Sequence, residues 1–222
     1  MNILLMADRY VGTEIASWLI SNYRRDLALT VTVGENEIYQ EAKNNNVPCI
    51  IFSSTMQVSQ YLQNNNISLD MGFLIWWPKL VKPPLLNLPK HGFINTHPSL
   101  LPYNRGKHPN FWALVEQVPF GVSLHFVDEG IDTGDIIATK VISYDWEDTG
   151  GSLYEKAIDA TIELFKEKYP QIRKMNIKPR EQDSQKSTFH LAKEIDRASQ
   201  IQIDKPYIAR DLINLLRART FP

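Results

Sequence analysis

Short apolar runs alternate with stretches of helical spacing through the first part of the chain, and few folds accept that rhythm. Residues 3–6 read as a strand, and residues 11–23 then carry Ile15, Leu19 and Ile20 one helical turn apart. Residues 27–33 are β-branched and strand-like. A helix over 38–44 dissolves into Asn44-Asn45-Asn46, and asparagine tolerates the left-handed conformation that ends helices. Residues 49–52 form a third strand. Ser54 can cap a helix over 56–63, which again runs into Asn64-Asn65-Asn66. Residues 69–76 and 93–96 give a fourth and a fifth strand. This order predicts an α/β fold, a mostly parallel sheet with helices on both faces.

The pattern changes downstream. Residues 121–127 and 135–143 are two strand-like runs joined by 128–134. Thr149-Gly150-Gly151-Ser152 opens a helix over 153–169, with Tyr154, Ile158, Ile162 and Phe165 on one face. Residues 176–190 are polar, contain Pro179, Ser184 and Ser187, and show no apolar period, which predicts a linker or exposed loop. A last helix over 206–219 would start with Pro206 in its first turn and carry Ile208, Leu212, Leu215 and Leu216 as a stripe. The expected organisation is a catalytic domain over 1–175 and a small C-terminal extension over 176–222.

Apolar residues make up 43% of the 222, enough for a packed core. The formal net charge of −1 excludes the basic field of a nucleic-acid binder. No run reaches the ~18 apolar residues of a membrane span. The apolar N-terminus breaks at Asp8-Arg9 without a basic leader, so a cytoplasmic location is expected. Cys49, the single cysteine, lies in an apolar run and reads as a buried, inert thiol. No CxxC or His/Cys cluster suggests a metal.

The chemistry concentrates in two segments. The first is Gly92-Phe93-Ile94-Asn95-Thr96-His97-Pro98-Ser99-Leu100-Leu101-Pro102, and the second is Gly130-Ile131-Asp132-Thr133-Gly134-Asp135. Residues two apart on a strand point to the same side, so Asn95 and His97 share one space. They sit at the carboxyl end of the fifth strand, where open α/β sheets place ligands. Attack of a nucleophile on an acyl carbon makes an oxyanion and releases a proton. Asn95 can donate to the oxyanion. His97, with an ordinary pKa of ~6.5, can accept the proton or steady the oxyanion when charged. Asp132 can orient the ring or relay a proton through water. Taken singly, each also has a plain structural reading: a strand-end cap, a satisfied histidine, a turn aspartate. His125 alternates with Leu124 and Phe126 and reads as a sheet-face residue, and nothing singles out His91 or His190.

The run Asn-x-His-Pro-Ser-Leu-Leu-Pro followed by Asp-Thr-Gly resembles the folate-dependent formyltransferase family, from the N-terminus to about residue 170, with a second match near the C-terminus. The resemblance implies a formyltransferase-type, Rossmann-like sheet. It implies 10-formyltetrahydrofolate as formyl donor and Asn95, His97 and Asp132 as catalytic triad. It also implies a pterin slot walled by Leu74, Ile75, Trp76 and Trp77 on one side and Val127, Asp128, Gly130 and Ile131 on the other. Trp76 and Trp77 can equally be core aromatics, although adjacent strand positions cannot both be buried on one face.

Within the family, the N-terminal segment discriminates. Purine-pathway glycinamide ribonucleotide formyltransferases carry a Gly/Ser/Asn-rich phosphate loop there, whereas this chain has Asp8, Arg9 and Tyr10. Methionyl-tRNA formyltransferases carry a further tRNA-docking domain, for which this chain is expected to have no room. Thr188-Phe189-His190, Lys193-Glu194-Ile195-Asp196 and the run from Ile213 to Pro222 resemble the tail of sugar N-formyltransferases. Those enzymes formylate nucleotide-linked deoxyamino sugars, often dTDP-linked, for surface polysaccharides of the O-antigen type, and are usually homodimers. Asp8, Arg9, Tyr10, Lys79, Tyr103, Arg105 and His108 are then candidate substrate contacts. Arg105 leads among the bases, because guanidinium meets phosphate in a fork. The alternatives are phosphoribosylglycinamide formyltransferase, formyltetrahydrofolate hydrolase and a non-catalytic binder. Loss of residues 176–222 is expected to disturb assembly or substrate binding, not triad geometry.

Overall fold

The computed structural model describes residues 1–221. They fall into two compact units. One comprises Met1–Thr96 with Phe165–Ile177, and the other His97–Leu164 with the residues from Lys178 on.

The first unit holds β1 (Ile3–Ala7), α1 (Arg9–Tyr23), β2 (Leu27–Thr32), α2 (Glu37–Asn44), β3 (Cys49–Ile51), α3 (Thr55–Asn64), β4 (Met71–Ile75) and β5 (Phe93–His97), whose last residue, His97, is counted with the second unit. The strands lie in the order β3-β2-β1-β4-β5, and every one of these pairings is parallel. β1 is buried on both faces, as its unbroken apolar run requires. Gly72 in β4 faces the Phe93 ring, and a Cβ there would lie 2.3 Å from it. Ser54 caps α3 by accepting from the Gln57 amide at 3.1 Å, as expected. Asn46 and Asn66 take left-handed φ of 54° and 53° just past α2 and α3. Cys49 is buried, and burial pushes its thiol up to about 11.

Two boundaries differ from the sequence reading at positions that concern the site. α1 begins at Arg9, not Val11, so Arg9 and Tyr10 belong to a helix turn rather than a loop. β4 ends at Ile75, and Trp76 leaves it with a φ of 48°. The two tryptophans are thus not strand neighbours, which removes the same-face conflict.

The second unit holds β6 (Arg105–Gly106), α4 (Pro109–Glu116), β7 (Phe120–Phe126), β8 (Ile136–Ile142), the start of α5 (Gly150–Arg173), β9 (Phe189–His190), α6 (Glu194–Ala198) and α7 (Ala209–Arg219). β7 and β8 pair antiparallel. α4 escaped the sequence reading, although Pro109 occupies its first turn. The buried stripe of α5 is Leu153, Ala157, Ala160, Thr161, Leu164 and Phe165. Tyr169 and Ile172 continue it, and Tyr154, Ile158 and Ile162 flank it half-buried. The expected linker is pinned instead. Arg180 bridges to Ile136, and β9 pairs in parallel with β6. Gly106, at φ 90°, lets that pairing close, since a Cβ would meet the His190 carbonyl at 2.3 Å.

α7 starts at Ala209, so Pro206 precedes the helix by three residues. It packs on α4 through buried Asn214 and Ala218. Ile213 and Leu216 are about half exposed, and Ile208 is 71% exposed. The expected stripe therefore faces outward in large part. No helix among the described residues is long and apolar enough to cross a membrane.

Candidate active site

His97 ends β5 and is 5% exposed. Asp132 sits in the turn between β7 and β8 with a left-handed φ of 54°, a conformation that costs a non-glycine residue about 1–2 kcal/mol. Its Oδ2 lies 3.5 Å from His97 Nδ1. His125 on β7, 1% exposed, brings its Nε2 within 3.5 Å of Asp132 Oδ1. The Gly106 amide donates to Asp132 Oδ2 at 2.9 Å. The two imidazoles stand nearly perpendicular, with centroids 6.2 Å apart.

Hydrogen bonds to carbonyls settle the tautomers, since a carbonyl only accepts. His97 Nε2 donates to the Asn104 carbonyl at 3.1 Å. His125 Nδ1 donates to the Phe126 carbonyl at 2.8 Å. In a neutral His97 the basic lone pair is then at Nδ1, facing Asp132.

Burial is the main reason the His97 ring is held below the ordinary imidazole range. His125 and Lys107 add to that effect, while Asp132 and the Asn104 carbonyl oppose it. Burial alone would raise Asp132, but His97, His125 and the Gly106 amide outweigh it and hold the carboxyl well below the usual range. At neutral pH the pair is a buried anion beside an uncharged imidazole, a resting base. Asn95 lies two positions before His97 on β5, opposite Leu74 of β4.

Further contacts come from residues to which the sequence reading gave no role in the site. His125, read as a sheet-face residue, is buried against the carboxylate. Gln182, in the expected linker, donates from Nε2 to the carbonyls of Asp132 at 2.9 Å and Gly134 at 2.7 Å. Its Oε1 accepts from Arg105 Nε and a terminal guanidinium nitrogen at 3.0 and 2.8 Å. Thr188 Oγ1 accepts from the Asn104 amide at 2.8 Å. Asn104 also donates from its side chain to Glu116 at 3.0 Å. His190 stacks on Trp112 with centroids 3.7 Å apart and approaches Glu116 and Glu194 at 2.8 and 3.3 Å. Polar spacing without a period hid this tail, because side-chain to main-chain bonds leave no repeat in a sequence.

The remaining candidates lie as follows. Leu74 and Ile75 are buried in β4, which leaves Trp76 and Trp77 half-buried beyond it. Trp77 packs edge-on against Phe52 at 5.3 Å, and its buried indole N–H has no acceptor. Val127 is half-buried. Asp128 ties its own turn, accepting from the Gly130 amide at 3.1 Å and the Thr133 hydroxyl at 2.6 Å. Ile131 is 51% exposed. Asp8, Arg9 and Tyr10 line a cleft of about 910 Å³ together with Glu37, Gln40 and Asn44. Lys79 is exposed and Tyr103 half-buried. His108 is exposed at the start of α4, where partial burial, Lys107 and Arg219 hold its ring low. Among the described residues no group of three or more metal-ligating side chains is placed to hold an ion.

A mostly parallel α/β sheet and a buried histidine facing a turn carboxylate suit a group-transfer enzyme. The chain belongs to the formyl transferase family, whose model matches residues 30–168. A second model, the N-formyltransferase dimerization C-terminal domain, matches residues 194–222. A methionyl-tRNA formyltransferase of Thermodesulfovibrio yellowstonii is 35% identical over 164 residues, 71% of this chain and 50% of its own. The chain thus spans half the length of that relative. A sugar N-formyltransferase from a Shewanella species superposes with a TM-score of 0.79 at 20% identity, covering 100% of this chain and 89% of that one. An N-formyltransferase of Helicobacter canadensis, complexed with folinic acid and dTDP-3-aminofucose, gives 0.76 at 18% identity, covering 98% and 80%. These likenesses carry the fold.

Proposed function

We propose that this protein transfers the formyl group of 10-formyltetrahydrofolate to the amine of a nucleotide-linked dideoxy amino sugar, with dTDP as nucleotide, for surface polysaccharide of the O-antigen type. The observation that carries the sugar reading is the match of residues 194–222 to the N-formyltransferase dimerization domain, behind a catalytic family match. The purine-pathway reading lacks its glycine-rich phosphate loop, since Arg9 and Tyr10 open α1 instead. Methionyl-tRNA is the second reading, favoured by the names of the sequence relatives.

The chemistry assigned to the chain's residues is as follows. The amine nitrogen bonds to the formyl carbon, and the bond from that carbon to the folate nitrogen breaks. Asn95 donates to the developing oxyanion. His97 accepts the amine proton at Nδ1, the nitrogen its bond to Asn104 leaves basic. Asp132 stabilises the resulting imidazolium at 3.5 Å, and the proton passes to the departing folate nitrogen. The formyl donor supplies an activated one-carbon group. Trp77 fits a heterocycle with acceptors along its edge, because its buried N–H has no other partner. The turn from Val127 to Ile131 fits an apolar ring face through exposed Ile131. Arg105, Tyr103, His108, Lys79 and Asp8, Arg9 and Tyr10 are the proposed acceptor contacts. The apolar outer face of α7, Ile208, Ile213 and Leu216, is the proposed homodimer surface.

The test is a product assay by mass spectrometry. Purified protein and 10-formyltetrahydrofolate are incubated with dTDP-linked 3-amino and 4-amino dideoxy sugars, glycinamide ribonucleotide and charged initiator methionyl-tRNA. Gain of one formyl group on a sugar nucleotide supports the reading and fixes the amine position. Formylation of either other acceptor replaces it, and folate turnover without a formylated acceptor points to hydrolysis.

A further inference from the structure

We infer that Gln182 and Thr188 are positioning residues of the His97–Asp132 pair, so that the polar segment following α5 completes the catalytic geometry. The inference rests on the catalytic assignment just proposed. It goes beyond it by giving the tail a role in the chemistry besides assembly.

Each of the two acts on a different partner. Gln182 spends both amide protons on the carbonyls of Asp132 and Gly134, while its oxygen is held by the Arg105 fork. The amide is fully engaged, and what it grips is the backbone of the residue in the left-handed conformation. A strained φ persists where the surroundings over-determine it, and Gln182 supplies that constraint from outside the turn. Thr188 acts on the other member. Its hydroxyl receives both the main-chain and side-chain N–H of Asn104, at 2.8 and 3.3 Å, and Asn104 is itself left-handed at φ 53°. The Asn104 carbonyl then receives His97 Nε2. That bond leaves Nδ1 basic and aims it at Asp132. The strand pair of β6 with β9 locks the arrangement, since Gly106 donates to the Asp132 carboxylate and pairs with His190.

The consequence is electrostatic as well as geometric. The titratable and charged groups facing the pair are His125, Arg105 and Lys107, and Asp132 is the one anion that raises the affinity of His97 for a proton. If Asp132 withdraws, that support goes, and the buried ring takes up its proton only at lower pH. A shift of the acid limb of the rate profile therefore reports the position of Asp132, which a merely structural residue would not move.

The experiment compares Q182M, T188V and T188S in the full chain. Turnover should fall about 10- to 100-fold in Q182M and T188V, the range expected when reacting groups are misplaced by about an ångström. KM for the acceptor should stay within about threefold, and T188S should restore most of the rate. The acid limb of the kcat profile in Q182M should move to lower pH. The imidazole of His97 is followed in parallel by nitrogen-15 NMR titration, which needs no substrate. A lowered His97 midpoint in Q182M, in a protein that formylates nothing offered, upholds the positioning role and rejects the proposed function. Turnover within twofold of wild type with an unmoved His97 midpoint overturns the inference. So does a loss of rate matched by loss of the folded fraction in circular dichroism.

Discussion

His125 Nε2 lies as close to one oxygen of Asp132 as His97 Nδ1 lies to the other, 3.5 Å in both cases. The carboxylate is thus shared between two buried rings, and only one of them belongs to the Asn-x-His run. His125 fixes the roll of the carboxylate about its own axis, leaving Oδ2 for His97 and the Gly106 amide. Replacing His125 with Asn should lower kcat by about tenfold and spare the acceptor KM, as measured by initial rates. A wild-type kcat would show that Asp132 is oriented without it.

Because burial holds His97 below the ordinary imidazole range, activity should rise with pH through a midpoint below ~6.5 and then level off. Asp132→Asn removes the carboxylate that opposes this depression. The midpoint should move further down, while the plateau falls about 10²-fold or more. A midpoint that rises in Asp132→Asn would mean that another group limits the rate. Asn95→Ala should keep the wild-type midpoint and lose about 10²–10³ in the plateau, because it removes an oxyanion donor and no titrating group.

In the first unit, Asp26 is 3% exposed and accepts from the Tyr169 hydroxyl at 2.9 Å and from Arg173 at 2.6 and 3.1 Å. Burial opposes its ionisation, but these donors outweigh it and hold the carboxyl below its usual range. A depressed native pKa stabilises the fold above the unfolded value of ~3.9 and is lost as pH falls below it. Asp26→Ala should cost about 1–3 kcal/mol at pH 7, because the buried Tyr169 hydroxyl loses its acceptor. The deficit should shrink toward pH 3. Urea titrations at both pH values measure it, and an equal deficit at both would reject the linkage.

Cys49, with its thiol pushed up to about 11, should react slowly with disulfide reagents at pH 8 in the folded protein and rapidly in denaturant. Fast labelling of the native chain would show that β3 opens readily.

The alternation of strand and helix made the first five strands legible, because burial on both faces gives β1 and β4 unbroken apolar runs. The candidate site was legible for a related reason: Asn95 and His97 are fixed relative to each other by strand geometry alone. His125 was hidden by the same periodicity, since a sheet face can be a site face. Gln182 and Thr188 were hidden because their partners are main-chain carbonyls and amides of distant residues, which no local pattern encodes. The start of α1 was misplaced because Arg9 enters it with a φ of 60°, outside the usual preference of its side chain.

The bond from Gln182 to Asp132 sets where a tail could be exchanged between proteins of this family. A chimaera cut at residue 175 would import a stranger to the Arg105 fork and to the turn of Asp132. A cut beyond His190 keeps β9 and both positioning contacts with the parent. The proposed dimer face on α7 could then be exchanged while the His97–Asp132 geometry stays with its original owner.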